Sequence, residues 1–130
     1  MLTSAPASLR ILIVDDEALI RWSLLETLSG CGHLVVEAGD AVEALQAMTG
    51  ATVPFDVVLL DFRLPDSNDL ALLSRLRRLA PATRIILMTA YGTPEILQAA
   101  LDLGAYRVIS KPFDMSDLAP LVAQAHASRA

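Results

Sequence analysis

Short apolar runs alternate with longer stretches in which apolar residues recur every three or four positions. Leu9–Val14 is a compact aliphatic run and predicts a buried strand. Glu17 to Leu28 carries Ile20, Leu24 and Leu28 at spacings of four and stops at Gly30, which predicts a helix. Further strands are predicted at Leu34–Ala38, Val57–Leu60, Arg84–Met88 and Tyr106–Ile109. Further helices are predicted at Ala41–Met48 with Asp40 as N-cap, and at Asn68–Leu79 with Leu72, Leu73, Leu76 and Leu79 on one stripe. Pro94–Leu103 is predicted as a helix with proline in its first turn and Gly104 after its end. Met115–Ala127 is the last, capped by Asp114 or Ser116, with Pro120 setting a kink or a later start.

Strict alternation of strand and helix predicts an α/β domain, a doubly wound parallel sheet with helices on both faces. The 130 residues suit one domain, read as 9–127, with an extension at 1–8 and a tail at 128–130. Strand order is left open by the pattern, but both common orders bind ligands beyond the carboxyl ends of the strands. Composition narrows the classes. Apolar residues make up 54%, which excludes disorder, and every apolar run is too short to span a membrane. Met1–Ser8 lacks the pattern of a secretory signal. One cysteine, Cys31, excludes an internal disulfide framework. Net charge is −5, against direct nucleic-acid binding. The basic residues are nine arginines and one lysine, Lys111.

The carboxyl ends are where the chemistry gathers. The first strand ends in Asp15-Asp16 followed by Glu17, the third in Asp61, the fourth in Thr89 and the fifth in Ser110-Lys111-Pro112. Taken singly, each residue has an ordinary reading: a helix cap, a loop acid, a strand terminus, a surface lysine. Their shared sheet edge outweighs those readings. Converging carboxylates resist ionising together, and a hard cation such as magnesium removes the conflict while leaving room for a phosphoryl oxygen. Carboxylates, magnesium, an ammonium and a hydroxyl are together the equipment of phosphoryl transfer, with Asp61 as nucleophile. Trp22 reads as packing, Cys31 as a half-buried filler, His33 and His126 as solvated, and Arg75, Arg77 and Arg78 as one solvated helix face.

Ile13-Val14-Asp15-Asp16-Glu17, the stretch from Leu59 through Asp61 to Asp66, Leu87–Gly92, Gly104-Ala105-Tyr106 and Lys111-Pro112-Phe113, in this order and spacing, resemble the receiver domain of two-component response regulators. The likeness covers about Leu9 to Ala125. It implies strand order 2-1-3-4-5 and a phosphoryl group taken by Asp61 from a phosphohistidine. It implies magnesium held by Asp16, Asp61 and the backbone carbonyl of Arg63, with Asp15 acting through water. Lys111 then binds the phosphoryl oxygens, Thr89 moves toward them, and small Ala90 leaves an access path. A cis Lys111–Pro112 bond is also implied. Arg63 and Tyr91 occupy the positions that set the lifetime of the phosphorylated state, and both are bulky.

The chain departs from the family pattern in three respects. Asp69 stands where glycine is frequent. Val108 stands where an aromatic switch residue is frequent, with Tyr106 as the nearest ring. The chain reads as a receiver standing alone or excised from a longer regulator. The implied partners are a sensor histidine kinase or phosphotransfer protein, and an output partner, output domain or second copy on the face of helix four, strand five and helix five. No membrane and no direct nucleic acid are expected, and the location is cytoplasmic. Competing readings are a phosphorylation-independent interaction module and a small magnesium phosphatase. The latter wants an Asp-x-Asp after strand one, where Asp15-Asp16-Glu17 stands. A flavin or nucleotide carrier wants a phosphate loop there, and three acids repel a phosphate.

Overall fold

The most continuously apolar runs take the middle of the sheet. The computed structural model describes residues 8–128 apart from Asn68, Asp69 and Tyr91. The elements run β1 (Arg10–Val14), α1 (Ala18–Gly30), β2 (Leu34–Ala38), α2 (Ala41–Gly50), β3 (Val57–Asp61), α3 (Ala71–Leu79), β4 (Arg84–Thr89), α4 (Pro94–Asp102), β5 (Arg107–Ser110), a 3-10 turn (Met115–Asp117) and α5 (Leu118–Ala127). The strands form one parallel sheet in the order β2-β1-β3-β4-β5. The chain therefore goes outward from β1 to β2, then crosses back to β3, and the reversal between β1 and β3 opens a crevice at their carboxyl ends.

Alternate strand residues feed two cores. Leu12, Val14, Val58, Leu60, Ile85 and Leu87 pack with Leu73, Leu76 and Ala100 on the side of α2, α3 and α4. Ile11, Ile13, Leu59, Ile86 and Met88 pack with Leu24, Leu28, Leu121 and Val122 on the side of α1 and α5. The inner strands β1, β3 and β4 are buried along nearly their whole length. The edge strands are not: Leu34 and Val36 are exposed in β2, and Arg107 and Ser110 in β5, because an edge strand has a neighbour on one side only.

The helices start where side chains satisfy their first amides. Asp40 accepts from Glu43 N (2.8 Å) and Thr93 from Ile96 N (3.3 Å), with Pro94 beginning α4. Asp114 accepts from Ser116 N (3.0 Å), so it caps the 3-10 turn, and Pro120 falls in the first turn of the later-starting α5. The predicted start of the third helix at Asn68 lies outside the described residues; α3 runs from Ala71. Leu79, placed on its buried stripe, is 51% exposed at the helix end. Trp22, expected to pack, is 56% exposed, because it sits across α1 from the Ile20–Leu24–Leu28 stripe. Cys31 is exposed. Arg77 is tied down, donating to the carbonyls of Pro81 (2.7 Å) and Thr83 (3.4 Å). Neither histidine is free in solvent: Leu9 N donates to His33 Nδ1 (3.0 Å), and His126 lies 3.8 Å from Asp56.

Two outcomes follow. Gly104 has φ +102°, and a Cβ there would stand 2.5 Å from Arg77 Nε. Gly104→Ala is expected to lose more than about 1 kcal/mol in urea unfolding, and adding Arg77→Ala is expected to recover the steric part alone. His33 accepts a hydrogen bond that only its neutral form can make, and burial lowers its pKa although Asp56 pulls the other way. A lowered pKa means the unfolded chain binds the proton first, so this contribution is whole above pH 6.5 and fades as pH falls through the folded value. The stability difference between wild type and His33→Gln is therefore expected to shrink on acidification from pH 7 to 5.

Candidate functional site

β1 delivers its last residues into the crevice beside β3. Asp15 N donates to the Ala38 carbonyl (3.1 Å), extending the ladder one residue past the strand. The Asp15 carboxylate is wholly buried; Oδ1 accepts from Glu17 N (2.9 Å) and Oδ2 from Lys111 Nζ (3.0 Å). Its carbonyl accepts from Arg21 Nη1 (2.6 Å), whose Nε reaches Glu37 at 3.1 Å. Asp16 turns outward and is exposed.

β3 delivers Asp61, 6% exposed, with its backbone in register with Met88. Phe62 N donates to the Met88 carbonyl (2.8 Å) and Arg63 N to Asp61 Oδ1 (3.3 Å). Lys111 follows β5, where its amide donates to the Thr89 carbonyl (2.8 Å), and the Lys111–Pro112 bond is cis. Its ammonium lies 3.2 Å from Asp61 Oδ2 and 3.6 Å from Glu17 Oε1.

Carboxylate oxygens of Asp15, Asp16 and Asp61 lie within 4.8 Å of one another. Lys111 is the cation that contacts this group among the described residues, so negative charge exceeds positive. Burial pushes the Asp61 pKa up to about 6, the Asp15 charge adds to this, and Lys111 and the Arg63 amide oppose it. Burial works against the Lys111 ammonium, but the hydrogen bonds and charges of Asp15 and Asp61 outweigh it and hold its pKa above the ordinary value. An all-oxygen set carrying excess negative charge fits a hard divalent cation.

A cavity of about 330 Å³ opens here, lined by Asp16, Asp61, Arg63, Thr89, Ala90 and Lys111 among others. Thr89 is buried at the end of β4, while Ala90 and Arg63 are exposed. The sequence-predicted groups thus meet on one edge, apart from Tyr91 and Asp69, which lie outside the described residues. Val108 is half-buried against the core on the α4 side. Tyr106 packs with the opposite core, its ring flanked by Arg84 (6.0 Å) and Arg107 (5.6 Å).

Two residues escaped sequence reasoning. Arg21 looks like one more polar residue on a helix, and Asp66 reads as a turn acid after Pro65. Asp66 instead accepts from Ala41 N (2.8 Å) and Val42 N (3.1 Å), at the start of α2. Only the acid's position after proline could have raised it, and nothing local names its partner.

A family model for the response regulator receiver domain matches residues 11–123. The chain is 35% identical over 109 residues to sporulation initiation phosphotransferase F of Bacillus subtilis, covering 84% of this chain and 86% of that one. It is 34% identical over 113 residues to the DNA-binding transcriptional regulator NtrC of Escherichia coli, covering 87% of this chain but 24% of that one, so it spans about a quarter of the length of that relative. Among solved structures, a CheY-like response regulator receiver domain protein from Methanospirillum hungatei superposes with TM-score 0.87 at 31% identity, covering 95% and 97% of the two chains. NtrX from Brucella abortus does so with TM-score 0.85 at 32% identity, covering 95% of this chain and 28% of that one.

The electrostatic balance at Asp61 is open to measurement. Lys111→Ala removes two opposing influences and is expected to move the Asp61 pKa further above 6, whereas Asp15→Asn is expected to lower it. Carboxyl-carbon NMR titration in metal-free buffer reads both shifts.

Proposed function

The chain belongs to the response regulator receiver domain family, and on that premise we propose that it is a phosphoacceptor switch charged at Asp61 by a phosphohistidine. The observation that carries this reading is the meeting of Asp15, Asp16 and Asp61 within 4.8 Å, with Lys111 3.2 Å from the Asp61 carboxylate. The name of the Bacillus relative, covered over 86% of its length, supports phosphotransfer as the reaction class.

In the transfer, an Asp61 carboxylate oxygen forms a bond to phosphorus as the bond from phosphorus to the donor imidazole breaks. The imidazole nitrogen leaves with the electron pair and takes a proton. Asp16, Asp61 and the Arg63 carbonyl would hold magnesium, with Asp15 reaching it through water. When bound, the metal supplies charge neutralisation for the phosphoryl oxygens. The chain's own groups do the remaining work. Lys111, fixed by Asp15, stays on the phosphoryl oxygens once Asp61 has become an acyl phosphate. Thr89 donates its hydroxyl to them, and Ala90 leaves the access path open. Arg63, exposed beside Asp61, shields the acyl phosphate from water and lengthens its life; Tyr91 is assigned the same part.

The donor is a sensor histidine kinase or a phosphotransfer protein in the cytoplasm. The phosphorylated state is read on the face of α4, β5 and α5 by an output partner, an output domain or a second copy, with no direct contact to nucleic acid or membrane. Val108 offers no ring to turn inward, so the conformational response runs through Thr89 and α4 and is modest in size.

Acetyl phosphate with Mg2+ is expected to label the chain once, at Asp61, with labelling abolished in Asp61→Asn and strongly reduced in Lys111→Ala. Repeated turnover of small phosphate esters would instead indicate a phosphatase, and no labelling at all an interaction module.

A further inference from the structure

We propose that Asp66 is a positioning residue that clips the loop after Asp61 to the start of α2, so that metal binding at the acid cluster and the order of the α2 N-terminus are coupled. The inference rests on the functional reading above. α2 already has its own cap in Asp40, which takes the Glu43 amide. Asp66 takes the two amides before it, Ala41 N at 2.8 Å and Val42 N at 3.1 Å, one on each carboxylate oxygen. It reaches them from 24 and 25 residues further along the chain. The two carboxylates together take three of the amides at the helix start, and one of the two comes from a distant loop.

The loop itself explains the second carboxylate. From Asp61 onward several contacts fix it, beginning with the Arg63 amide on Asp61 Oδ1. Phe62 N is held by the Met88 carbonyl, and Leu64 is buried in the core. Leu64 and Ser67 exchange backbone hydrogen bonds at 2.7 and 3.2 Å across a tight turn that carries Asp66. Arg63 stands between these anchors, exposed, with its carbonyl assigned to the metal. With the turn clipped to α2, the Arg63 peptide is held from both sides. Below the clip, a cleft of about 440 Å³ opens between α2 and α3, with Leu45, Leu64 and Leu72 in its lining. The Asp66 contacts bridge that cleft, with Ala41 and Asp66 themselves in its lining. The Ala41 amide is also the largest influence holding the Asp66 carboxyl below its ordinary pKa, as a charge-assisted contact requires.

Coupling of this kind is reciprocal: if the clip favours the metal-binding form of the loop, the metal favours the clip. The full chain is titrated with Mg2+ by calorimetry, and amide hydrogen exchange is followed by NMR with and without Mg2+. Asp66→Ala is expected to weaken Mg2+ binding roughly five-fold, the scale of one lost capping contact, with Asp66→Asn between it and wild type. In wild type, saturating Mg2+ is expected to slow exchange at Ala41 and Val42, and this slowing is expected to vanish in Asp66→Ala. Wild-type Mg2+ affinity in Asp66→Ala, or exchange at Ala41 and Val42 that ignores Mg2+ in wild type, overturns the proposal. The wild-type exchange measurement decides it alone if the alanine variant does not fold. A wild-type chain that binds no Mg2+ overturns the functional reading, and this coupling with it.

Discussion

An excess of negative charge at the edge of an otherwise apolar sheet is the constraint on which the rest of the molecule turns. Asp15 is wholly buried and Asp61 nearly so, between strands whose buried side chains are mostly apolar. Leaving two such carboxylates without partners is costly in a medium that cannot solvate them. The chain answers with Lys111, which touches both, and with backbone amides from Glu17 and Arg63. That compensation is incomplete, as the raised pKa of Asp61 records. Incomplete compensation is what leaves the site with an appetite for a further cation, so the feature that strains the fold is also the one that equips it.

The scaffold keeps that strained edge rigid with contacts that never touch the reacting atoms. Arg21 holds the Asp15 carbonyl from α1 and spans to Glu37 on β2. The Lys111 amide is fixed to β4 at Thr89, and the Phe62 amide to β4 at Met88. Asp66 holds the remaining free side of the site, the loop after β3. These ties join neighbouring elements, so the acids are aimed by the sheet and its helices together. Geometry held by rigid elements is what electrostatic stabilisation of transferring charge requires.

Much of this was legible in the sequence, for reasons that can be named. β1, β3 and β4 are buried on both faces, so their composition alone marks them, and their ends point at Asp15, Asp61 and Thr89 whatever the strand order. Helix starts at Ala41 and Pro94 were legible because their caps are local. The errors have a common cause. The exposure of Leu34 and Val36 was not legible in β2, because edge position is a property of the sheet and not of the run. Trp22 was misjudged because residue type says little about which side of an element faces what. Arg21 and Asp66 were missed, and His33 was taken as solvated, because their partners lie 6, up to 25 and 24 residues away, through contacts that no periodicity announces.

The Lys111 to Asp15 contact joins residues 96 positions apart. Such long closures come late when a chain folds, since the entropy of a large loop must be overcome first. During synthesis, the first four strands leave the ribosome before the residue that neutralises them. A nascent chain ending short of position 111 thus carries the nucleophile in a half-built, over-charged pocket without its counterion. The edge of the sheet therefore reaches its charge balance only with its final strand, because Lys111 pairs with acids delivered by the first and third.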